Sequence, residues 1–261
     1  MSCRYLGNYF NIQSFDKNIN VLCEDFVTCI KGNNKETSNI FYTGLFNGKL
    51  IEWEIDTNLE VKEIKKIYSH TSSITAVELN NRQNIIITAG EDKFIHIRKQ
   101  YDFELLTSIN LCHYYSNMKI SMEYNIFPSL IKISDLNLLY VLIYDLESET
   151  NFIRGYNLNG LFFAEIKNDS NTKDKNKKYI MNSISFTKNS NLIVGYYNLN
   201  KFALLQSWDL IINKLFDIQD KFRREGTQMV IYESSPDTLN FLYNDQLEKL
   251  SLKENDKLCN L

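Results

Sequence analysis

Short strand-like segments, separated by turn residues, recur along this chain at a regular spacing. Thr43, followed four positions later by Asn47, returns as Thr88, followed by Asp92, so that equivalent positions stand 45 residues apart. Asn47 and Gly48 lie between two β-prone runs, and an Asn-Gly pair is the strongest short signal for a β-hairpin. Because one such repeat cannot bury its apolar face alone, a stack of small sheets is indicated.

The segments of the two clearest units are about five to eight residues long and rich in β-branched and aromatic residues, as expected for strands. A period of about 40–45 residues with four strands per unit is typical of a WD-repeat β-propeller blade. We therefore predict an all-β fold, a WD-repeat β-propeller. The strands predicted for these two units are Ile40–Leu45, Lys49–Ile55, Val61–Tyr68, Ile74–Leu79, Ile85–Ala89, Phe94–Arg98 and Leu105–Leu111.

The remaining chain divides in the same way, less sharply. About five full blades plus a partial N-terminal blade are predicted within a single domain over residues 1–261, with approximate bounds 1–23 (partial), 24–69, 70–112, 113–168, 179–220 and 226–261. Because the chain begins inside a blade, the sequence leaves open whether the propeller closes. The further predicted strands are Arg4–Leu6, Phe10–Phe15, Ile19–Leu22, Leu130–Ser134, Leu139–Tyr144, Phe152–Leu158, Leu161–Ile166, Ile180–Phe186, Leu192–Tyr197, Phe202–Leu210, Lys214–Ile218, Gln228–Glu233, Leu239–Tyr243 and Leu247–Leu252.

A buried hydrogen-bond network is predicted in the 70–112 blade. In a WD blade, a His before the innermost strand pairs with an Asp in the next tight turn, and a Ser or Thr and a Trp indole complete the set. His70, Thr88 and Asp92 occupy three of these four positions, and Arg98 stands at the fourth. Since buried polar groups must be satisfied, such a network fixes one blade geometry.

The 24–69 blade keeps a different part of this network. Thr43 and Trp53 are present, Asn47 replaces the Asp, and an acidic residue, Glu24 or Asp25, stands where the His would be. Both tryptophans of the chain fall at the indole position and are followed by an acidic residue: Trp53-Glu54 and Trp208-Asp209.

Few residues of this chain suit catalysis or metal binding. His70 could act as a base or a metal ligand, but the network accounts for it. Cys112-His113 would be half a zinc site, yet no second Cys/His pair stands at zinc spacing. His96 lies mid-strand and is interpreted as a blade-surface residue. No G-x-S-x-G, Walker, G-x-G-x-x-G or H-E-x-x-H motif occurs, so we predict no enzyme and no catalytic, cofactor or metal site.

Charge and cysteine usage bound the partners and the compartment. The formal net charge of -3 argues against nucleic acid as a partner, since a phosphate-binding face carries a clear basic patch. The strongest basic run, Asn171–Lys178, is interpreted as a solvated loop. Five cysteines without a CxxC pair favour a reduced, cytoplasmic compartment. The sequence contains no signal peptide and no stretch of 18 apolar residues, so membranes are expected to be reached only through partners.

Several segments, taken in order, resemble the C-terminal WD domain of BEACH-domain proteins, the neurobeachin-like group. They are Cys3 with Asn8–Phe10, Asp25–Ile30, Phe152–Ile166 and the strand that bears Trp208. The resemblance runs from about Cys3 to about Leu252, although Gly7 stands where the family has a turn Asp. The BEACH domain and its pleckstrin-like module are absent, which leaves a fragment, a split gene product or a diverged relative as alternatives. The resemblance implies a role in vesicle traffic, membrane dynamics or autophagy-like scaffolding.

Three functions remain after these observations. The leading hypothesis is a non-catalytic protein-protein interaction scaffold, because loops on a rigid framework usually carry the binding residues. Phe46 and Glu91, just before two turn positions, are the predicted partner contacts. The alternative is a structural subunit of a large multiprotein assembly whose neighbours cover open blade edges. The third, a propeller enzyme with a metal in the central channel, is disfavoured by the missing ligand clusters.

Overall fold

The structure, a computed structural model, consists of antiparallel β-strands and their connections in the residues that it describes. These are residues 2–6, 9–13, 18–33, 39–116, 119–122, 125–167, 179–186, 192–198, 202–209, 214–223, 229–235, 238–243 and 246–251. Side chains are described at positions 20–33, 39–112, 125–167, 181, 184–186, 192 and 194.

A three-stranded N-terminal sheet is followed by two four-stranded sheets, which we call blade I and blade II. In all three, each strand pairs antiparallel with the next strand along the chain. The N-terminal sheet contains β1 (Ser2–Leu6), β2 (Tyr9–Gln13) and β3 (Asn18–Leu22); blade I contains β4 (Val27–Gly32), β5 (Ile40–Leu45), β6 (Lys49–Ile55) and β7 (Val61–Tyr68); blade II contains β8 (Ile74–Asn80), β9 (Ile85–Gly90), β10 (Phe94–Lys99) and β11 (Leu105–Asn110).

Beyond blade II, a short hairpin precedes blade III, blade IV and a three-stranded C-terminal sheet. The pairing again follows chain order. The hairpin contains β12 (His113–Ser116) and β13 (Lys119–Met122); blade III contains β14 (Ile126–Ile133), β15 (Leu138–Asp145), β16 (Thr150–Asn157) and β17 (Phe162–Lys167); blade IV contains β18 (Tyr179–Phe186), β19 (Leu192–Asn198), β20 (Phe202–Asp209) and β21 (Lys214–Arg223); the C-terminal sheet contains β22 (Met229–Ser235), β23 (Thr238–Tyr243) and β24 (Gln246–Ser251).

These repeated sheets confirm the predicted all-β class, and β5, β6 and β7 have the predicted bounds. The segment after blade II differs from the prediction. The sequence predicts no strand between Leu111 and Leu130, but the β12–β13 hairpin lies there and β14 begins at Ile126. Pro128 lies inside β14, where the pairing register shifts. A proline normally marks the end of a strand, but at a bulge its missing N–H interrupts no regular ladder.

The first strand of every four-stranded sheet carries such a bulge. The register shifts between Val27 and Cys29, Ile74 and Ala76, Pro128 and Leu130, and Met181 and Ser183. In blades I to III the bulged residue has a hydroxyl group within hydrogen-bond distance of a carbonyl oxygen of the second strand: Thr28 of Gly44 (2.9 Å), Thr75 of Ala89 (3.2 Å) and Ser129 of Leu142 (3.2 Å). The Thr28 hydroxyl also contacts the Ile74 carbonyl oxygen of blade II. Since a bulge disrupts the backbone ladder, the side-chain bond to the second strand replaces one that the ladder loses.

The hydrophobic core lies between consecutive sheets. Four clusters of buried side chains join the N-terminal sheet to blade I, blade I to II, blade II to III and blade III to IV. In the second cluster, Tyr42 and Leu50 of blade I pack with Ile74 and Ile86 of blade II. Each fully buried Leu or Ile contributes about 1.5–3 kcal/mol, and most of that burial needs the neighbouring blade.

Ion pairs also join the first strands of three blades, which contact one another in order. Lys31 of β4 and Lys132 of β14 both pair with the carboxylate of Glu78 in β8, the latter at 2.8 Å. Burial raises the pKa of Glu78, but the two ammonium groups outweigh it and hold that pKa below its usual value. Glu78 is therefore an ionised link between blades I, II and III.

Candidate functional site

The turns of each blade lie at two opposite ends, because alternate turns of an antiparallel meander face opposite ways. The β5–β6 and β9–β10 turns share one end with the segments that enter β4 and β8, and we call it the His70 end. In three blades an equivalent backbone hydrogen bond of 2.9 Å joins the turn between the second and third strands to the segment that enters the first strand. These bonds run from Phe46 N–H to the Phe26 oxygen, from Glu91 N–H to the Ser73 oxygen and from Leu146 N–H to the Asn125 oxygen.

His70 is the centre of a buried hydrogen-bond network in blade II. Its Nδ1 lies 2.9 and 3.1 Å from the two carboxylate oxygens of Asp92, and its Nε2 lies 2.8 Å from Oγ1 of Thr88. Because a carboxylate only accepts hydrogen bonds, Nδ1 carries a proton and donates to Asp92. In the neutral ring, Nε2 then accepts from the Thr88 hydroxyl. The structure thus brings His70, Thr88 and Asp92 together.

Asp92 receives further donors that order the turn. The backbone N–H groups of Thr71 (2.9 Å) and Phe94 (3.2 Å) donate to its carboxylate. Burial raises the pKa of Asp92, but the bonds and charge of His70 together with these backbone donors hold it below its usual value. The ionised Asp92 therefore ties the start of β10 to the segment that enters β8.

Two residues that sequence reasoning missed, Ser69 and His96, complete this network. Oγ of the buried Ser69 lies 3.0 Å from Oγ1 of Thr88, so it can donate as an indole N–H would. The His96 ring stacks on His70 with centroids 4.4 Å apart, and its Nδ1 lies 2.6 Å from the Ser69 carbonyl oxygen.

The interpretation of His96 as a blade-surface residue is therefore wrong. The ring is partly buried against His70, and burial, with a smaller effect of His70, lowers the pKa of His96 to about 4. One sequence signal was present: in the β9–β10 register His96 stands opposite Thr88, itself a predicted network member. Side chains opposite each other on antiparallel strands lie close together.

Arginines at the indole position of blades II and III form other contacts. Arg98 of blade II donates from Nη1 to the Phe103 carbonyl oxygen at 3.0 Å. Arg154, at the equivalent position of blade III, is fully buried, and its Nε lies 2.8 Å from the Glu165 carboxylate. Arg98 bonds to the Phe103 carbonyl oxygen and not to Thr88. The group that takes the place of the indole N–H beside the Thr88 hydroxyl in blade II is therefore the hydroxyl of Ser69.

In blade I, the threonine equivalent to Thr88 is hydrogen-bonded by an indole. Nε1 of Trp53 donates to Oγ1 of Thr43 at 2.9 Å, and both side chains are buried. The Trp53 ring also stacks on Phe41, with planes 8° apart. The residues at the His and Asp positions bond elsewhere. Of the two candidates for the His position, Glu24 binds Lys49 at 2.6 Å and Asp25 Oδ1 accepts from the Phe26 N–H at 2.8 Å. Asn47 Oδ1 accepts from the Lys49 N–H at 3.1 Å.

Gly90 explains why an imidazole fits in blade II. A Cβ added at Gly90 would lie 2.5 Å from Nδ1 of His70, so any larger residue would displace the ring. Blade I has the fully buried Leu45 at this position, and Ile51 at the position of His96. Hydrocarbon side chains thus replace both imidazole rings in blade I.

The His70 end exposes large apolar side chains around blade I. Phe26 and Phe46 are each 59% exposed. Tyr68, at the end of β7, is also exposed, and the Lys49 ammonium lies 4.8 Å from its ring centroid. Glu91 is exposed at the position of blade II equivalent to Phe46. The two predicted contacts therefore occupy equivalent turns of neighbouring blades, one apolar and one acidic.

Other predicted residues lie partly outside the described side chains. Trp208 lies in β20, where its backbone pairs with Leu192 and Leu215, and its side chain is not among those described. Cys112 is buried, whereas the side chain of His113 lies outside the described residues, as does the whole run Asn171–Lys178.

The part of the chain that the structure describes contains neither a group of metal ligands nor a helix that could span a membrane. Within the described ranges, no three His, Cys, Asp or Glu side chains lie close enough to hold a metal ion. Across the same ranges, no helix has the length and apolar character needed to cross a membrane.

Comparison with known proteins places the chain by its fold. No protein-family model and no curated protein matches it. The β-propeller domain of Cps50 (Swd1) from Myceliophteria thermophila matches with a TM-score of 0.58 and 12% identity, over 86% of this chain and 65% of that chain. A chain of a mitotic checkpoint complex matches with a TM-score of 0.62 and 12% identity, over 96% of this chain and 73% of that chain.

The repeated four-stranded sheets and these two likenesses define the class of protein. The chain has a WD40-type β-propeller fold, which confirms the fold predicted from the repeat. It spans 65% of the length of the Swd1 propeller chain. At 12% identity the likeness establishes the fold alone, so any statement of function has to come from the residues of the site.

Proposed function

We propose that this chain is a non-catalytic scaffold that binds partner proteins through the His70 end of its blades. The observation that carries the proposal is the pair Phe26 and Phe46, each 59% exposed and joined through the 2.9 Å backbone bond. Neighbouring exposed aromatic rings on ordered turns are typical of a surface that a partner covers. Aromatic residues are also enriched in the cores of protein interfaces.

Charged side chains surround this apolar pair. Lys49 and Lys66 both pair with Glu24 beside blade I, and Glu91 extends the rim onto blade II. An apolar centre with a charged rim of both signs fits a protein partner. The net charge of -3 supports the exclusion of nucleic acid.

The fold agrees with this proposal at a coarse level, because WD40-type propellers are generally interaction scaffolds and usually non-catalytic. The finer proposal is a single propeller domain that acts in vesicle traffic, membrane dynamics or an autophagy-like process. It is supported by the ordered resemblance, from about Cys3 to about Leu252, to the WD domain of BEACH-domain proteins. We further propose a cytoplasmic location, with membranes reached through partners.

Affinity purification with quantitative mass spectrometry tests the scaffold proposal. The Phe46→Ala, Glu91→Ala double variant is expected to lose partners that the unchanged chain retains. Leu136→Ala is the matched control, because Leu136 is also exposed but lies in the β14–β15 turn at the opposite end. An unchanged partner set in the double variant would rule out these two residues as contacts.

The second candidate function is a structural subunit of a large assembly. Within the described residues, the N-terminal and C-terminal sheets have three strands each, and the matched mitotic checkpoint chain comes from a multiprotein complex. Size-exclusion chromatography of the isolated chain separates the two functions. A stable monomer favours the scaffold, whereas aggregation that a co-expressed partner relieves favours the subunit.

A further inference from the structure

Glu52 is a carboxylate at a position where two other blades have core isoleucines. It precedes Trp53 in β6, and the equivalent residues before the indole-position arginines are Ile97 and Ile153, at 2% and 0% exposure. Glu52 itself is 7% exposed. Because burying a carboxylate costs stability that an isoleucine would not cost, the fold alone gives no reason for Glu52.

One oxygen of Glu52 has no partner in the described structure. Tyr42, opposite Glu52 on β5, hydrogen-bonds to the carboxylate, but Oε2 is buried and unbonded. Lys65, opposite on β7, places its ammonium on the Tyr101 carbonyl oxygen. Burial raises the pKa of Glu52, and the nearby charge of Lys65, which lowers it, is the weaker effect. The surroundings therefore stabilise the ionised carboxylate only poorly.

The Glu52 carboxylate lines a cleft between blades I and II. The cleft has a volume of about 620 Å³ and is lined by Tyr42 and Glu52 of blade I and by Gln100, Tyr101 and Leu106 of blade II. This volume falls within the ~300–1,000 Å³ that is usual for ligand sites. Since the β8–β9 and β10–β11 turns contribute to it, the cleft lies at the end opposite the His70 end.

We propose that this cleft binds the guanidinium group of an arginine side chain from a partner protein, with Glu52 as its anion. A guanidinium offers planar donors that match a carboxylate, and Oε2 is a buried acceptor that lacks a partner among the described residues. Tyr101, which lines the cleft, is 66% exposed, and the Lys99 ammonium already lies 5.6 Å from its ring centroid, so this ring attracts a cation. Lys99, which also lines the cleft, pairs with Glu104, and the Lys65 ammonium bonds to the Tyr101 carbonyl oxygen. Neither ammonium bonds to Oε2 of Glu52.

The cleft that Glu52 lines opens at the end opposite Phe46, so this site and the proposed His70-end surface can fail separately. The probe for the cleft is acetyl-arginine-amide, titrated to about 10 mM into the full chain by two-dimensional NMR, a range that covers weak single-residue binding. Acetyl-citrulline-amide has nearly the same shape without the charge and serves as the control ligand.

We expect saturable binding of the arginine probe, with shifts at Gln100 and Tyr101, and little binding of the citrulline probe. Glu52→Gln is expected to weaken the arginine probe by about tenfold or more, as loss of a charged hydrogen bond does. Glu54→Gln removes the same charge two residues along β6, where the side chain is exposed, and is expected to change affinity by less than about twofold.

The variant Glu52→Ile distinguishes a binding role of Glu52 from a purely structural one. Glu52→Ile is expected to raise the unfolding temperature, because blades II and III have a buried isoleucine at this position. The same change is expected to abolish binding of the arginine probe. A lower unfolding temperature would assign Glu52 to folding and contradict the proposal. So would the absence of saturable binding to the unchanged chain, equal binding of both probes, or unchanged affinity in Glu52→Gln.

Discussion

Blades I and II have the same backbone plan and hold their turns with different chemistry. In blade I, Trp53 donates one hydrogen bond to Thr43 and otherwise packs in hydrocarbon. In blade II, His70 bonds to both Thr88 and Asp92, and a second imidazole stacks on it. Equivalent positions of one fold thus accept either an apolar filling or a chain of hydrogen-bonded polar groups.

The difference also changes how the two blades respond to acid. His96 belongs to blade II, and its lowered pKa means that the folded state favours the neutral ring. Glu52 belongs to blade I, and its raised pKa means that the folded state favours the neutral acid. As the pH falls, protonation therefore opposes the fold through His96 and favours it through Glu52.

The largest expected effect comes from the apolar filling of blade I. Trp53→Ala is expected to lower the free energy of unfolding by about 3–5 kcal/mol, because it leaves a large cavity and an unpaired Thr43 hydroxyl. Chemical denaturation measures the change. Trp53→Phe keeps a ring and should recover part of the loss, and a loss below about 1 kcal/mol in Trp53→Ala would show that the ring does not support the blade.

The polar network of blade II is expected to contribute somewhat less. His70→Ala should lower the free energy of unfolding by about 2–3 kcal/mol, because Asp92 and Thr88 lose their buried partner. In blade I, Asn47 stands at the position of Asp92, and Asn47→Ala removes a single bond to a turn amide, so it should cost about 1 kcal/mol or less. Equal losses in the two variants would remove the contrast between the blades.

Acidification separates the blades by the sign of the response. The pKa of His96 is about 4 in the fold against 6.5 for the free ring. The contribution of His96 to the free energy of unfolding is therefore complete above pH 6.5 and is lost as the pH falls towards 4. Between pH 7.5 and 5 the loss of unfolding free energy through His96 is expected to be at most about 2 kcal/mol, because the ring is only partly buried and solvent screens part of the effect. Denaturation at both pH values should show a smaller loss in His96→Gln, and an identical loss would contradict the assigned pKa direction.

Removing the hydroxyl of the bulged residue should give the smallest losses of stability, and losses of similar size in blades I and II. Thr28→Val and Thr75→Val each remove the hydroxyl that bonds to a carbonyl of the second strand, at an expected cost of about 1 kcal/mol each. Thermal unfolding of both variants checks this. A loss in only one blade would show that the bulge hydroxyl is not a common element of the fold.

The sequence predicted the parts of the fold that depend on local pattern. The Asn47-Gly48 turn and the alternating strands of blade I follow from residues next to each other, and the 45-residue spacing places His70, Thr88 and Asp92 together. These features depend on period and turn chemistry, which a single sequence displays.

Other features depend on contacts that no local pattern displays. Pro128 disguises the start of β14, because its place at a bulge is visible only in the pairing. Ser69 and His96 join the network through strand register, and Glu52 is exceptional only once Ile97 and Ile153 are recognised as its equivalents. Register and inter-blade contacts come from tertiary packing, so the site was predicted less completely than the fold.

Residue-resolved hydrogen exchange at pH 7.5 and 5, corrected for intrinsic rates, tests the contrast between the blades most directly. The Phe94 and Thr71 amides bond to Asp92 in blade II, and the Lys49 amide bonds to Asn47 in blade I. At pH 5 the opened form of blade II gains a proton on His96 that the folded form, with a pKa of about 4, mostly lacks, so opening becomes easier. The two blade II amides should therefore lose protection on acidification while the Lys49 amide keeps it. Equal loss in both blades, or loss in blade I alone, would contradict the division into a blade II that acid destabilises through His96 and a blade I that it does not destabilise.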